Sequence, residues 1–319
     1  MIALAEIRGA AERIRGHLHR TPLLSAATLG ERAGVSLFLK CESLQKTGSF
    51  KPRGALNKVL SLPAAEKGRG LVTVSAGNHA QAVAWAARKA GVPCAVVMPE
   101  SAPRAKVEAV EGYGARIVPH GDNATLFDRL REVERETGYV FVHPFDDPVV
   151  LAGPGTIGLE ILEDLPDVEA VVVPVGGGGL LGGIACALKQ SRPGVRVIAV
   201  ELAEGPGLAP ALAAGKPVPV DRPKGTLADG LIPPFVGALP LEIAKRYVDE
   251  IVSVSEGEIA EAMRLILSRA KLVTEGGGAA ATAAILSGRV KFAPGTKVVA
   301  LLSGGNVDLQ RLAGVLAKA

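Results

Sequence analysis

Residues 173–181 have the sequence Val-Pro-Val-Gly-Gly-Gly-Gly-Leu-Leu, in which an apolar strand meets four glycines and a helix is predicted to begin at once. Glycine lets the backbone approach an anion closely, and the N-terminus of a helix contributes partial positive charge. The four glycines, Gly176, Gly177, Gly178 and Gly179, are therefore predicted to form a phosphate-binding loop. A flexible glycine loop that binds nothing is the alternative.

The same strand-to-helix order recurs along the chain on both sides of this loop. Strands are predicted at 37–39, 71–74, 94–98, 117–118, 140–142, 171–173, 195–200, 248–254 and 297–302. Helices are predicted at 4–18, 78–90, 103–111, 122–137, 157–164, 179–190, 256–270, 278–287 and 307–317, with a long loop over 203–237. This alternation predicts an α/β fold with mostly parallel sheets. Because about eight or more strands are many for one twisted sheet, two open sheets flanked by helices are expected.

The composition excludes several classes of function. Hydrophobic residues make up 48% of the chain and aromatic residues only 3%, which suits a helix-flanked parallel sheet. The 36 basic and 32 acidic residues are well mixed, so binding to nucleic acid is not expected. The separation of Cys41, Cys94 and Cys186 predicts reduced thiols. No apolar run reaches the roughly 18 residues of a membrane span and no signal peptide precedes the first helix, so a cytoplasmic protein without membrane association is predicted.

A second motif, Thr-Gly-Ser-Phe-Lys-Pro-Arg-Gly-Ala at residues 47–55, places Lys51 between a glycine turn and the first turn of a predicted helix. Ser49 is predicted to cap that helix, and Pro52 is tolerated in its first turn. An amine in a partly apolar pocket near a helix N-terminus is easier to keep neutral and nucleophilic. Lys51 is therefore a candidate for a Schiff base to a carbonyl cofactor, and an ordinary solvated lysine is the alternative.

Two further motifs follow predicted strands. Residues 75–81, Ser-Ala-Gly-Asn-His-Ala-Gln, come after strand 71–74, and residues 303–306, Ser-Gly-Gly-Asn, come after strand 297–302. Ligands of α/β sheets gather outside the carboxyl ends of the strands, so these motifs and residues 228–230 are expected around one crevice. There the Asn78 amide could donate to a phenolate oxygen, although a plain helix cap is the alternative.

These four motifs, in their order and spacing, resemble those of the threonine/serine dehydratases and serine racemases, which belong to the tryptophan-synthase-β-like pyridoxal-phosphate enzymes. The resemblance covers nearly the whole chain. It implies that Lys51 holds pyridoxal 5'-phosphate as a Schiff base, with Phe50 against the cofactor ring. It also implies that Asn78 contacts the 3-oxygen of the ring, residues 176–179 hold the phosphate and Ser303 contacts the pyridine nitrogen.

The reaction that the resemblance implies is β-elimination by a lyase, a threonine ammonia-lyase (threonine dehydratase). L-Threonine or L-serine would give 2-oxobutanoate or pyruvate and ammonia. The substrate carboxylate would bind the loop of Ser75, Gly77, Asn78 and His79. Serine racemases of this group carry a serine where this chain has Ala76, and alanine cannot carry a proton, so dehydration is favoured. A serine racemase and a catalytically silent pyridoxal-phosphate-binding protein stay open as alternatives.

The resemblance also implies a domain arrangement. A smaller domain, residues 67–147, would be inserted into a larger one formed by residues 1–66 and 148–319. The cofactor would lie between them, and closure of the smaller domain would exclude water. A homo-oligomer, either a dimer or a tetramer, is expected from the family alone.

A divalent cation, magnesium or calcium, is implied near Glu201, because relatives in this group place one near a glutamate that follows the corresponding strand. Gly207, however, stands near the position where those relatives have an aspartate. A solvated or salt-bridged glutamate is the alternative.

Overall fold

The computed structural model describes residues 1–102, 104–122, 125–221, 223 and 225–317. The predicted helix positions 103, 123 and 124, loop positions 222 and 224, and the last two residues of the predicted larger domain, 318 and 319, lie outside the described residues. The helices are Leu4–Ile14 (α1), Ala27–Ala33 (α2), Lys51–Ser61 (α3), Ala64–Arg69 (α4), Asn78–Ala90 (α5), Arg104–Gly112 (α6), Leu126–Thr137 (α7), Pro148–Asp164 (α8), Gly179–Ser191 (α9), Leu208–Ala214 (α10), Ala238–Tyr247 (α11), Glu256–Leu265 (α12), Gly276–Leu286 (α13) and Leu309–Leu316 (α14). The strands are Leu23–Ser25 (β1), Ser36–Cys41 (β2), Leu71–Val74 (β3), Cys94–Pro99 (β4), Arg116–His120 (β5), Val140–Phe141 (β6), Ala170–Pro174 (β7), Arg196–Leu202 (β8), Glu250–Val254 (β9) and Lys297–Leu302 (β10).

The strands form two sheets, as predicted. A six-stranded sheet has the order β1-β2-β10-β7-β8-β9, and only its edge strand β1 is antiparallel to its neighbour. A four-stranded sheet has the order β5-β4-β3-β6 and is parallel throughout. The prediction of an α/β fold with two mostly parallel sheets is confirmed. The strands of the smaller sheet lie within residues 67–147, and the domain boundaries given above stay a prediction.

Helices cover both faces of the larger sheet, which explains its continuous apolar strands. In β7, Val171 and Val173 pack in the hydrophobic cluster on one face, whereas Val172 packs in the cluster on the other face. Successive side chains of a strand point to opposite faces, so a strand buried on both sides must be apolar at every position. Among the described residues, no helix is both long enough and apolar enough to cross a membrane.

The predicted loop over 203–237 is wrong in part, because α10 lies within it. The N-terminus of α10 is held by Glu201, whose carboxylate accepts hydrogen bonds from the backbone N–H groups of Gly207 (2.6 Å), Leu208 and Ala209 (3.0 Å). Glu201 lies on β8 and is almost fully buried. A cap that comes from a neighbouring strand leaves no local pattern in the helix sequence.

Helix α8 begins at Pro148, nine residues before the predicted helix 157–164. Asp147 caps it by accepting hydrogen bonds from the backbone N–H groups of Val149 (2.8 Å) and Val150 (3.1 Å). Pro154 and Gly155 lie within this helix, and both residue types have low helix propensity, so the first half of the helix was not predicted. The glycine is required by packing, since a β-carbon at Gly155 would lie 2.9 Å from the Ile7 side chain.

Candidate active site

The predicted motifs meet at the carboxyl ends of β7, β10 and β3. The turn before Lys51 is tied to the loop after β10, since the Phe50 N–H donates to the Ser303 carbonyl (3.0 Å) and the Gly305 N–H donates to the Gly48 carbonyl (2.8 Å). A β-carbon at Gly176 would lie 2.6 Å from the Gly230 carbonyl oxygen, so residues 228–230 border the glycine loop. The turn before Lys51, the loops after β7 and β10 and residues 228–230 therefore lie close together, as expected.

Lys51 is the first residue of α3, and its side chain is partly buried. Its Nζ donates to the Pro144 carbonyl (2.9 Å) and lies 5.1 Å from the centre of the Phe50 ring. Burial lowers the pKa of this amine to about 8, although the nearby carboxylate of Glu275 opposes the shift. A substantial fraction of Lys51 is therefore neutral near pH 8, which is the state that a nucleophile or proton acceptor needs.

The prediction that Ser49 caps α3 is wrong. Phe50 occupies the N-cap position, and the hydroxyl of Ser49 is buried without a hydrogen-bond partner among the described residues. The side chain is fully enclosed. A buried hydroxyl normally finds a partner, so this orphaned group beside Lys51 is consistent with a ligand site.

The glycine loop after β7 leads directly into α9, which begins at Gly179. Gly178 has a φ of +89°, a conformation that disfavours other residues. A β-carbon at Gly177 would overlap the Phe145 ring, so the backbone there approaches an aromatic surface that no larger residue would allow. The first N–H groups of a helix have no acceptor within it. The N–H groups at the start of α9 can therefore serve as donors to a phosphate.

We expect Gly177→Ala to weaken the binding of pyridoxal phosphate at least roughly tenfold and to destabilise the fold by about 1–3 kcal/mol, because Phe145 must move. Absorbance titration with the cofactor and urea unfolding measure the two effects. Gly194→Ala is the matched control, since a β-carbon there meets nothing within 4 Å. Equal behaviour of the two variants would contradict this account of the loop.

Asn78, the first residue of α5, lies between two polar side chains. Its Nδ2 donates to Glu275 Oε1 (2.7 Å), and its Oδ1 accepts from Asn306 Nδ2 (2.8 Å). Ser303 is almost fully buried, and the one hydrogen-bond contact of its hydroxyl with the described residues is a long one, 3.5 Å to the Gly277 carbonyl. That hydroxyl is thus available to a ligand, as its predicted contact with a ring nitrogen requires.

The predicted substrate loop follows β3. The Ser75 hydroxyl accepts from the Gly77 N–H (3.1 Å), which holds the turn closed. His79 is buried, and its Nε2 lies 3.0 Å from the Val142 carbonyl. Burial, and after it the charge of Lys51, lowers the pKa of His79 well below its usual value, so the ring is neutral and Nε2 carries the proton. This geometry supports a role for His79 in anchoring the loop, and the binding of substrate by these residues stays a prediction.

Two elements of the site were not predicted from the sequence. Residues 143–146 pass between Lys51 and the glycine loop, with Pro144 accepting from Lys51 and Phe145 packing against Gly177. Glu275 precedes the glycine-rich start of α13. The sequence did contain one indication of Glu275, since it directly precedes the run Gly276–Gly278, which resembles the glycine loop after β7.

The surroundings of Glu201 do not fit a metal ion. Both of its oxygens accept backbone N–H groups of α10, and these donors cannot ligate a cation. Within the described part of the chain, no group of three His, Cys, Asp or Glu residues is arranged to hold a metal. The magnesium or calcium site at Glu201 stays an unsupported prediction.

Comparison with known proteins agrees with this geometry. Residues 14–304 match the family described as pyridoxal-phosphate dependent enzymes. The chain is 46% identical to an L-threonine ammonia-lyase of Thermotoga maritima, over 100% of this chain and 79% of that protein. It is 45% identical to the catabolic L-threonine dehydratase TdcB of Escherichia coli K12, over 98% of this chain and 96% of that protein. The structure of maize serine racemase superposes with a TM-score of 0.93 at 37% identity, over 99% and 97% of the two chains. The chain therefore belongs to the family of pyridoxal-phosphate dependent enzymes.

Proposed function

We propose that this enzyme is an L-threonine ammonia-lyase, which converts L-threonine to 2-oxobutanoate and ammonia and acts on L-serine in the same way to give pyruvate. The observation that carries the proposal is the partly buried amine of Lys51, whose pKa is lowered to about 8 and which donates to Pro144, next to the Phe145 ring that packs against the glycine loop. The similarity to proteins named threonine ammonia-lyase and threonine dehydratase, over almost the whole chain, supports this choice of substrate.

The residues present fit pyridoxal phosphate. The loop 176–179 leads into the N-terminus of α9, whose first N–H groups have no acceptor within the helix, and the hydroxyls of Ser49 and Ser303 have no strong partner among the described residues. When bound, the cofactor supplies an electron-withdrawing ring that acidifies the Cα proton of an attached amino acid. We assign the phosphate to the loop, the ring nitrogen to Ser303 and the 3-oxygen to Asn78.

Lys51 has two roles in this proposal. Its amine would hold the carbonyl of bound pyridoxal phosphate before substrate arrives, and it would take the Cα proton from the substrate afterwards. Burial lowers the pKa of the amine and so favours its neutral form, which general-base catalysis requires. The neutral Ser303 hydroxyl can share a hydrogen bond with the ring nitrogen without the negative charge that would keep this nitrogen protonated. Loss of the β-hydroxyl as water, followed by hydrolysis, balances the reaction to one oxo acid and one ammonia.

We propose the same larger arrangement for this chain as for the family. The smaller domain comprises residues 67–147, the crevice lies between the two sheets, and the enzyme is a homodimer or homotetramer in the cytoplasm. The cysteines Cys41, Cys94 and Cys186 are free and buried, which supports a reducing compartment. Size-exclusion chromatography with light scattering measures the oligomeric state.

The direct test uses purified enzyme loaded with pyridoxal phosphate. We expect release of 2-oxobutanoate from L-threonine and of pyruvate from L-serine, each matched by an equal amount of ammonia. A cofactor absorbance band without oxo acid from either substrate would reject the lyase and support a silent cofactor-binding protein. Chiral analysis of the remaining serine is made on the same samples.

Serine racemase is the second candidate, since the maize serine racemase structure is similar over almost the whole chain. Racemisation needs a second proton carrier on the opposite face of the cofactor ring, and Ala76 cannot supply one. We expect D-serine to stay undetectable with the native enzyme and to become measurable with Ala76→Ser, because the side chain at residue 76 is partly exposed in the loop. D-serine formed by the native enzyme at a rate comparable to pyruvate would overturn this assignment.

A further inference from the structure

The Asn78 amide is fixed by a chain of hydrogen bonds that none of the four sequence motifs contains in full. Asn306 Nδ2 donates both to the Thr47 carbonyl (2.7 Å) and to Asn78 Oδ1 (2.8 Å). Both hydrogens of the Asn306 amide are thus used, and its orientation is set by the turn before Lys51. Asn78 Nδ2 then donates to Glu275 Oε1 (2.7 Å).

This series of hydrogen bonds leaves one N–H donor of the Asn78 amide unused. The oxygen of its amide accepts from Asn306 and one of its two N–H groups donates to Glu275, so among the described contacts a single N–H is left for a ligand. If the Asn78 amide rotated by 180°, its oxygen would face the carboxylate of Glu275 and its NH₂ would face the NH₂ of Asn306. The Glu275 carboxylate therefore disfavours the rotated orientation of the Asn78 amide.

We propose that Glu275 is a positioning residue, which holds the Asn78 amide in the orientation that presents its free N–H to the 3-oxygen of pyridoxal phosphate. The inference rests on the proposed role of Asn78 and deepens it. The carboxyl group is seated closely, since a β-carbon at Gly304 would overlap Glu275 Oε1. The backbone N–H of Glu275 also donates to the Gly304 carbonyl (3.1 Å), so the residue is anchored to the loop after β10.

The charge of Glu275 is set by several neighbours. Burial, and after it the carboxylate of Asp229, raises the pKa of Glu275 to about 7, while the hydrogen bonds from Asn78 and from the Asn306 backbone and the charge of Lys106 oppose the rise. Lys106 is itself paired with Asp229 at 2.7 Å. Lys51 is the other cation that faces this carboxylate. Glu275 thus changes between a charged and a neutral acceptor near neutral pH.

A double-mutant cycle on cofactor affinity tests whether Glu275 acts through Asn78. The affinity of the apoenzyme for pyridoxal phosphate is measured by absorbance titration without substrate, so the result does not depend on lyase activity. We expect Glu275→Ala to raise the Kd roughly tenfold, because Asn78 loses the hydrogen-bond acceptor that orients its amide. In the Asn78→Ala background, the same change is expected to raise the Kd less than about twofold.

Glu275→Gln provides the rescue, since glutamine keeps an acceptor of the same length but cannot become charged. Its Kd is expected within about threefold of native at pH 6, and the ratio of its Kd to the native Kd is expected to rise roughly threefold between pH 6 and pH 8, as Glu275 ionises in the native enzyme. The Glu261→Gln variant, changed on an exposed face of α12, controls for the loss of a carboxylate.

The outcomes separate a positioning role from a structural one. A tenfold effect of Glu275→Ala that persists in the Asn78→Ala background would overturn the proposal, as would a Glu275→Gln variant as weak as Glu275→Ala at pH 6. Melting temperatures of the apo forms are recorded for all variants, and a Glu275→Gln protein that melts as the native one keeps the test valid even if Glu275→Ala is unstable. Failure of the enzyme to release oxo acid would reject the lyase function, but it would not change the conclusion drawn from the cofactor affinities.

Discussion

Replacing Lys51 with alanine is expected to reduce oxo acid release from L-threonine by about 10⁴-fold or more and to remove the absorbance band of the bound cofactor. Both effects follow from one group, because the amine that would hold the cofactor carbonyl is also the base that would take the Cα proton. Lys51 is partly buried and donates to the Pro144 carbonyl, and no second lysine amine is placed at this carbonyl among the described contacts. Steady-state assays and absorbance spectra measure the two losses.

Lys67→Ala is the control for this experiment, because Lys67 lies on the surface helix α4 and away from the crevice. Its activity and spectrum are expected to equal those of the native enzyme. A Lys51→Ala variant that keeps more than about 1% of the native rate, or that keeps the absorbance band, would show that another amine holds the cofactor. In that case, the function proposed for the whole crevice would need a different nucleophile.

The loops at strand ends were predictable from the sequence because their chemistry is local. Each is a short apolar strand followed by small residues and a helix start, and the strands of a parallel sheet end at the same edge. The loops after β7 and β10 belong to one parallel sheet, so they could be placed together from the order of strands and helices alone. Strand β3 belongs to the other sheet, and the loop after it lies beside them because Asn78 contacts Glu275 and Asn306.

Other parts of the site were not predictable because tertiary contacts determine them. Glu275 takes its importance from Asn78, which is 197 residues away in the sequence. Helix α10 begins where Glu201 caps it from a neighbouring strand. Ser49 is a residue type that often caps helices, but the N-cap of α3 is Phe50, and the Ser49 hydroxyl has no hydrogen-bond partner among the described residues. The partner is distant in the sequence only for Glu275, whereas Glu201 lies six to eight residues before the N–H groups that it caps.

The largest effect on stability is expected at Arg53, two residues after Lys51. The Arg53 side chain is almost fully buried, and its guanidinium bonds both oxygens of Glu42, at 2.9 Å and 2.8 Å. It also pairs with Glu160 at 2.6 Å, and Glu160 in turn pairs with the buried Lys40 at 2.6 Å. Two cations and two anions therefore neutralise each other beneath the start of α3.

Arg53→Ala is expected to lower the free energy of unfolding by about 3–5 kcal/mol, because Glu42 would stay buried without a cation. Such a loss is a large part of the roughly 5–15 kcal/mol that stabilises a typical protein. Urea unfolding measures it. Arg104→Ala breaks an Arg–Glu pair of which the arginine side chain is 90% exposed, and its cost is expected below about 1 kcal/mol.

The double variant Arg53→Met with Glu42→Gln distinguishes charge from packing. If the cost of Arg53→Ala comes from an unpaired buried carboxylate, then removing that charge and refilling the volume should recover at least about half of the lost stability. If the cost comes from the lost side-chain volume alone, Arg53→Met should already recover it while Glu42 is intact. Charge is the expected cause, because Glu42 is fully buried and the Thr21 hydroxyl is the only other side-chain donor described at its carboxylate. A neutral hydroxyl cannot replace a guanidinium that donates to both carboxylate oxygens.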